Sequence, residues 1–392
     1  MRYISIQNVK ENDIAASDVT SPDGVLMVGK GSVLTRGVID RLQSMGFKGI
    51  YIGDEISEDI VVSDAISPQL RKLAKECIRT LDVKGSVDIS KSIIKEIMDK
   101  QISALEMNDI RAFDDYTYAH SVNVAVLSCV IGIAMKLDQK ALLDLVNAAI
   151  LHDFGKMRIP EEVINKQERL TGSEYELVKN HVIYSHEIIE NSRDITKEVK
   201  EAVLAHHENE DGSGYPRGLA DEEIPLIAKI IHVADVYDAL ISDRPYKKGY
   251  APWEATEYLM GGCGINFNRQ VVDKFIKLVP IYPRGSEVML SSGELCVVLA
   301  NKGNNNLRPV VRNVATGETI DLALRENLST SIYSPDSNRV VRSEENRKDM
   351  IEAAIHRRII VVDDMKTNLQ MLREILEPEY KVVPLQERSS GT

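Results

Sequence analysis

The histidines of this chain are concentrated in one region, and this placement constrains the fold more than any other feature. Seven of the eight lie between His120 and His232, and several of these fall in or at the ends of different segments with apolar residues at helical spacing. One is followed directly by a carboxylate, in the pair His152-Asp153. Metal sites in helical domains are built from side chains that converge from several helices. Imidazole and carboxylate together suit Fe, Mn, Ni or Zn, so the pattern predicts a metal centre in a helical domain.

The number of candidate ligands indicates more than one metal ion. Asp235 lies in a further apolar segment of this region, between residues 225 and 241. With the histidines and Asp153 it offers about five to seven nitrogen and oxygen ligands, more than the four of a tetrahedral site. His206 and His207 would point about 100° apart on a helix, so both bind only at a helix end between two ions. Two ions that share carboxylates are therefore favoured; the alternative is a set of separate structural histidines.

Charge and cysteine content limit the class of protein. The formal net charge of −12 argues against a general nucleic-acid binder, which needs basic surface to neutralise phosphates. The four cysteines form no CxxC motif and sit mostly among apolar neighbours, as is typical of reduced core residues. Residues 1–10 do not resemble a signal peptide, and no apolar run reaches the roughly 18 residues of a membrane span. We therefore expect a soluble cytoplasmic protein without a membrane span.

The order of elements predicts a mainly α chain with small β-containing modules before and after a helical core. Short strands and one helix indicate an α/β accessory or sensory module at the N-terminus, and Ser67-Pro68 opens a stretch of linker helices. Alternating short strands after the helical core predict a small β appendage. The predicted regions are the accessory module 1–66, linker helices 67–106, the helical core domain 107–280, the β appendage 281–335, a helical connector 336–357 and a last fragment 358–392.

Four motifs in the helical core carry a specific resemblance. They are His152-Asp153 with Gly155-Lys156, His206-His207-Glu208, Gly214-Tyr215-Pro216, and the stretch from Asp235 to Asp243-Arg244-Pro245-Tyr246. In this order and spacing they resemble the HD-GYP family of phosphodiesterases, which hydrolyse the bacterial second messenger cyclic di-GMP. The resemblance covers roughly residues 107–280. It implies a helical bundle of the HD superfamily for this region.

The resemblance also implies roles for individual residues. The implied metal ligands are His120, His152, Asp153, His181, His206, His207 and Asp235. The implied substrate contacts are Lys156, Tyr215, Asp238, Arg244 and Lys247. Asp153 would bridge two divalent ions, with Fe or Mn favoured, and Lys156 would face the scissile phosphate or the attacking water, which makes these two the expected catalytic residues. Paired ions lower the pKa of a bound water and hold a phosphate oxygen, as hydrolysis of an anionic phosphodiester requires.

The sequence departs from the family pattern at three positions. Tyr116 stands four residues before His120, where relatives with a third metal carry glutamate, and this favours two ions. Val182 and Ser185 replace a proline and a glycine that commonly follow the third histidine of the site. The changes at Val182 and Ser185 affect packing and remove no ligand, and Asp115 next to Tyr116 leaves the question of a third ion open.

The expected function is hydrolysis of cyclic di-GMP to pGpG and possibly GMP. One alternative keeps the chemistry but acts on another cyclic dinucleotide such as cyclic GMP-AMP. Another is a non-catalytic ligand receptor or partner-binding module, which the loss of a metal ligand would mark. We also expect a homodimer formed through the helices of residues 67–107, and protein partners that bind the loop of Gly214-Tyr215-Pro216, here called the GYP loop.

The last fragment resembles the opening of a response-regulator receiver domain. An apolar strand from Arg358 ends in the acidic pair Asp363-Asp364, and residues 381–384 could form a second strand. The chain ends before a third strand with the phosphorylated aspartate could follow, because a βαβ unit alone takes about 30 residues. We therefore expect an incomplete, receiver-like fragment without phosphotransfer activity.

Overall fold

The computed structural model describes most of the chain. The described residues are 1–21, 25–62, 64–100, 116–164, 166, 168, 170–242, 249–301, 306–333, 358–361 and 381–384. They fall into two compact units, residues 1–332 and 333–392. The first unit is mainly helical, which confirms the predicted fold class. Among the described residues, no helix combines the length and the apolar character needed to cross a membrane.

Long helices build the central part of the first unit. The helices of this unit are α1 (Arg36–Ser44), α2 (Pro68–Arg79), α3 (Val83–Asp99), α4 (Tyr116–Ala134), α5 (Gln139–Leu151), α6 (Glu161–Ile164), α7 (Gly172–Lys179), α8 (His181–Glu190), α9 (Lys197–Ala205), α10 (Leu226–Ile241), α11 (Pro252–Gly261) and α12 (Arg269–Leu278). Local sequence sets their starts: Ser67 caps α2 ahead of Pro68, and Asp82 caps α3. The predicted helical stretch after Ser67 is therefore two helices.

One hydrophobic core joins these helices. It runs from Ala65 to Val279 and includes residues of α2, α3, α4, α5, α8, α9, α10, α11 and α12. Helix α4 is buried on all sides from Val122 to Ile131, because α2, α3, α5, α10 and α12 pack around it. A helix that is apolar all round is expected at such a central position. Its first turns hold His120 inside the bundle.

Two small sheets lie in the terminal parts of the first unit. The strands are β1 (Arg2–Ser5), β2 (Ile14–Ala15), β3 (Val19–Thr20), β4 (Leu26–Val28), β5 (Gly49–Gly53), β6 (Glu287–Leu290), β7 (Leu295–Ala300), β8 (Val310–Asn313), β9 (Thr319–Asp321) and β10 (Ile332–Tyr333). One sheet has the order β1-β5-β2 and the other the order β10-β6-β7-β8-β9, while β3 and β4 pair as a hairpin. Each of the two sheets has its own hydrophobic cluster. The domain boundaries drawn from the sequence stay predictions.

The N-terminal and C-terminal sheets contact each other, which the sequence did not indicate. Tyr3 forms a bridge with Ser286, and the guanidinium of Arg2 pairs with both Asp54 and Glu287. A further hydrophobic cluster combines Tyr51, Ile60 and Val62 with Val297. Arg312 also forms a bidentate ion pair with Asp59. Segments at opposite ends of the first unit thus form one continuous structure.

The second unit contains two described strands, β11 (Arg358–Val361) and β12 (Lys381–Pro384), which pair in parallel. A parallel pair is what the receiver-like interpretation predicts for these two segments. The acidic pair Asp363-Asp364 and the predicted connector 336–357 lie outside the described residues.

Candidate metal centre

Three of the predicted metal ligands are oriented in the same way. His152 follows α5, His181 begins α8, and His206 follows α9. The Nδ1 atom of each lies 2.7–2.8 Å from the backbone carbonyl oxygen three residues earlier. The acceptors belong to Ala149, Val178 and Val203. Because a carbonyl oxygen only accepts, we assign the proton to Nδ1, which leaves Nε2 with a lone pair for a metal ion.

His120 is oriented by a carboxylate instead. Its Nδ1 donates to Asp238 over 2.7 Å, and its Nε2 lies 2.9 Å from Asp235 Oδ1. The second oxygen of Asp238 accepts from Asn123 Nδ2 over 3.0 Å. A histidine whose other nitrogen bonds a carboxylate is a common arrangement in metal sites, because the carboxylate fixes the ring and raises its basicity.

The resemblance predicted that Asp238 holds the substrate, and that role stays a prediction. Its side chain is 0% exposed and both of its oxygens are engaged by His120 and Asn123. A substrate contact would require this buried hydrogen-bonded pair to open. In the described structure the carboxylate of Asp238 also orients the ring of His120.

Six of the predicted metal ligands form two adjacent groups. One contains His120, His152 and Asp153, and the other contains His181, His206 and His207, with the ligand atoms of each group within 4.8 Å of one another. This places all the histidines of the predicted ligand set at one location. The structure thus brings together residues from α4, α8, α9 and the end of α5.

Two carboxylates lie between the histidine groups. Asp153 Oδ2 is 3.3 Å from His152 Nε2, and its Oδ1 is 3.4 Å from His181 Nε2. Asp235 directs Oδ1 towards His120 at 2.9 Å and Oδ2 towards His207 Nδ1 at 3.8 Å. Each carboxylate therefore has one oxygen near the first group and its other oxygen near the second. A carboxylate placed in this way could bridge two ions.

Unsatisfied polar atoms test whether metal ions fit this site. His152 Nε2 and Asp153 Oδ1 are buried, and neither makes a hydrogen bond within the described part of the chain. Buried polar atoms without a partner are rare and require an explanation such as a bound ion. Asp153 Oδ1 lies 3.4 Å from His181 Nε2, and His152 Nε2 lies 3.3 Å from Asp153 Oδ2. Both atoms are ligand types that divalent transition metals accept. The residues present therefore fit a metal centre.

The electrostatic state of the carboxylates also suits metal ions. Burial raises the pKa of Asp153, but His152 and Lys156 outweigh burial and hold the pKa well below its usual range. For Asp235, burial is likewise outweighed, first by the hydrogen bond with His120, and its pKa is also well below its usual range. Both carboxylates are therefore ionised at neutral pH.

Three of the predicted ligands, His181, His206 and His207, are held in the neutral form that binds metals. Burial lowers the pKa of His181 to about 4. Burial, followed by the neighbouring imidazoles, holds the pKa of His206 and His207 well below the usual range. Two divalent ions on two carboxylates and neutral imidazoles would leave a net positive charge at the centre, which suits an anionic ligand.

The centre opens towards Lys156, His207 and Tyr215. The side chains of Lys156 and His207 are 26% and 19% exposed, while that of Asp153 is 4% exposed. Lys156 Nζ donates to Asp153 Oδ2 over 2.6 Å, so a cation stands between the centre and solvent. The ring of Tyr215 stacks on His207 with centroids 4.9 Å apart. These positions are compatible with the predicted substrate contacts, which stay predictions.

The GYP loop is fixed by backbone contacts that begin at the second histidine of the pair. Tyr215 N–H donates to the His207 carbonyl over 3.1 Å. Gly214 permits this approach, because a Cβ there would lie 2.3 Å from Asn209 N and 2.5 Å from the His207 carbonyl oxygen. The buried carboxylate of Glu208 fixes the residues that follow the loop. It accepts from the backbone N–H of Arg217 over 2.8 Å and from that of Leu219 over 3.0 Å.

Several positioning residues were not identified from the sequence. Ser185 bonds the turn after His152, and His232 Nδ1 donates to the carbonyl oxygen of His206 over 2.8 Å. The role of Asn123, which donates to Asp238, could not be inferred from the sequence, because a polar residue in an apolar helix has many possible roles. Arg244 and Lys247, predicted to hold the substrate, lie outside the described residues.

Comparison with known proteins identifies the class. Residues 94–271 match the model of the HD domain family. The chain is 37% identical to a cyclic di-GMP phosphodiesterase of Pseudomonas aeruginosa over 60% of this chain and 56% of that protein. It is 30% identical to a cyclic di-GMP phosphodiesterase of Borreliella burgdorferi over 60% of this chain and 62% of that protein. The match thus spans less than two thirds of either relative.

Residues 94–271 of the chain therefore match an HD domain, and these two relatives are named cyclic di-GMP phosphodiesterases. A third relative, a 3'3'-cGAMP-specific phosphodiesterase of Vibrio cholerae, is 37% identical over 33% of this chain and 25% of that protein. Proteins with related sequences thus carry names that specify two different cyclic dinucleotides.

Proposed function

We propose that this protein is a metal-dependent phosphodiesterase that hydrolyses cyclic di-GMP. The observation that carries the proposal is the position of Asp153, with one oxygen near each histidine group and Lys156 Nζ 2.6 Å away. This arrangement combines a bridging carboxylate with a cation at the open side of the centre. The names of the relatives from Pseudomonas and Borreliella support the substrate.

Two divalent ions, with Fe or Mn favoured, would be held by the seven predicted ligands. When bound, such ions lower the pKa of a water molecule and neutralise charge on the phosphate. The identity and the number of the metal ions remain proposals. Tyr116, whose replacement of glutamate argues against a third ion, has no described side-chain position.

The residues of the chain supply orientation, charge and exclusion of water. Asp238 holds the ring of His120. Hydrogen bonds to backbone carbonyl oxygens hold the rings of His152, His181 and His206, so these ligands are fixed before a substrate arrives. Lys156 places positive charge at the position where phosphate charge grows in the transition state. The ring of Tyr215 forms the wall beside His207.

The proposed first product is linear pGpG, and a second cut at the same centre would give GMP. Arg244 and Lys247 would add the bidentate and point-charge contacts to guanine and phosphate that the resemblance implies. A homodimer through the helices of residues 67–107, partners at the GYP loop and a cytoplasmic location also stay predictions.

A second candidate substrate is cyclic GMP-AMP. It is favoured by the relative from Vibrio cholerae that is named for 3'3'-cGAMP. The centre itself contacts phosphate and does not distinguish the two dinucleotides, because they differ in one base. A non-catalytic receptor is less favoured, because none of the seven predicted ligands is missing from the chain.

The deciding experiment is turnover of cyclic di-GMP by protein purified without oxygen and loaded with Mn²⁺ or Fe²⁺. We expect chromatography to show pGpG, and we expect Asp153→Ala to abolish it. Asp144→Asn is the matched control, because Asp144 is also buried but accepts from Thr196 Oγ1 over 2.9 Å. Two bound metals without turnover would reject cyclic di-GMP as the substrate. Failure to bind metal would show that the histidines are structural.

A further inference from the structure

A row of aromatic rings extends from the metal centre to the protein surface. The ring of His207 stacks on Tyr215, and Lys179 Nζ lies 5.6 Å from the centroid of the Tyr215 ring. The same ammonium lies 5.0 Å from the ring of Tyr175. Tyr175 and Lys179 are four residues apart on α7 and therefore share one face of that helix. Lys179 thus stands between two tyrosine rings, one of which contacts a predicted metal ligand.

The outer members of this row are accessible. Tyr175 is 51% exposed, and the side chain of Lys179 is 28% exposed. Lys179 Nζ also pairs with Glu176 Oε1 at 2.7 Å, but that carboxylate is on a side chain that is 68% exposed. Ion pairs at such exposed positions contribute little free energy, so another anion can replace Glu176. The exposed part of the Tyr175 ring and the positive charge of Lys179 are therefore accessible to a ligand.

A cyclic dinucleotide needs such a surface beside the metal centre. It carries two phosphates and two purines, and the centre binds only the phosphate that is cleaved. The other half extends beyond the centre, and it presents a flat base and a negative charge. Purines stack on aromatic side chains, and lysine neutralises phosphate. A protein with a formal net charge of −12 has a particular need for a local cation where an anion binds.

We propose that Tyr175 and Lys179 form a subsite for the nucleotide half that is not being cleaved. Tyr175 stacks against its purine, and Lys179 binds its phosphate. This inference rests on the proposed phosphodiesterase function. Stacking does not depend on the identity of the purine, so the subsite accepts guanine and adenine alike. It therefore contributes to affinity for cyclic dinucleotides as a class.

The test compares two substrates of different size. Cyclic di-GMP reaches both the centre and the subsite, whereas bis(p-nitrophenyl) phosphate is a phosphodiester without a second nucleotide. For Tyr175→Leu we expect KM for cyclic di-GMP to rise about tenfold, with kcat little changed. The ratio of kcat/KM for cyclic di-GMP to that for the small substrate should fall to the same extent. Tyr175→Phe keeps the ring and should restore the ratio.

Lys179 is tested in the same assay. Lys179→Gln should raise KM for cyclic di-GMP and make KM less dependent on salt concentration. Lys179→Arg keeps the charge, so KM and its salt dependence should stay as in the wild type. Tyr258→Leu is the matched control, because Tyr258 is 45% exposed and lies on α11, and it should leave the ratio unchanged. Metal content, measured for every variant, reports whether the centre is intact.

Each result decides between the two proposals. Wild-type protein that cleaves only the small substrate would overturn the proposed function, and the subsite inference would fall with it. If the wild type cleaves cyclic di-GMP, an unchanged ratio in Tyr175→Leu would overturn the subsite alone. An equal loss on both substrates would also overturn it, because Tyr175 would then act through the metal centre.

Discussion

The Ser185 hydroxyl donates to the backbone carbonyl oxygen of His152 over 2.7 Å and accepts from the N–H of Gly155, also over 2.7 Å. It thereby joins α8, which begins with His181, to the turn that holds His152 and Asp153. Gly155 makes the approach possible, since a Cβ there would lie 2.1 Å from the His181 carbonyl oxygen. The serine found where the family commonly has glycine thus links two elements that carry predicted ligands.

Ser185→Ala should weaken both the fold and metal binding. The substitution leaves a buried N–H and a buried carbonyl without this partner, which costs about 1–3 kcal/mol in the free energy of unfolding. Metal affinity should fall about tenfold, because His152 and His181 are no longer held together. Urea denaturation and metal titration measure the two effects. Ser92→Ala is the control, because that exposed hydroxyl donates only along its own helix, to Asp88 O. Unchanged metal affinity would limit Ser185 to a structural role.

Asp238→Asn separates positioning from substrate binding. If Asp238 orients His120, the variant should bind metal about 10–100-fold more weakly even without substrate. If it held the substrate instead, metal affinity would stay unchanged and KM would rise. Isothermal titration with Mn²⁺ distinguishes these outcomes, and Asp144→Asn controls for the loss of a buried carboxylate.

Gly214→Ala should displace the GYP loop. The added Cβ would lie 2.3–2.5 Å from backbone atoms of His207, Glu208 and Asn209, so the loop must shift and carry Tyr215 away from His207. We expect at least about a tenfold loss in kcat/KM, since small displacements in a site have large effects. Gly37→Ala in α1 meets no atom within 4 Å and should instead stabilise the fold by about 0.5–1 kcal/mol. Normal kinetics in Gly214→Ala would show that the loop position is not required.

The contact between the terminal sheets can be measured with a double-mutant cycle on Arg2 and Glu287. Their side chains are 14% and 17% exposed, and burial raises the pKa of Glu287 while Arg2 opposes that shift. We expect a coupling of about 1–3 kcal/mol in the free energy of unfolding for Arg2→Met with Glu287→Gln. The exposed pair Arg36–Asp40 should give less than about 0.5 kcal/mol. Equal coupling for the two pairs would show that the sheets contribute no buried ion pair.

The clustering of histidines and carboxylates at the candidate centre was predictable because it depends on residue types and local periodicity. Histidines and carboxylates in successive apolar segments indicated a metal site, and the spacing of His152-Asp153, His206-His207 and the GYP loop indicated the HD-GYP type. The mainly α fold followed from the same helical periodicity, which acts over a few residues and can be recognised without knowing the partner of each helix.

The partners of each side chain required the tertiary structure. Asp235 and Asp238 are three residues apart on α10 and therefore share a face, but only the packing of α4 against α10 put His120 between them, with Asp238 away from solvent. Lys179 Nζ lies 5.0 Å from the ring of Tyr175 on its own helix and 5.6 Å from the ring of Tyr215 in the GYP loop. Arg2 meets Glu287 across 285 positions of sequence. Sequence periodicity determines which face of an element is buried, whereas long-range packing decides what that face contacts, and here it decided which residues position the metal ligands.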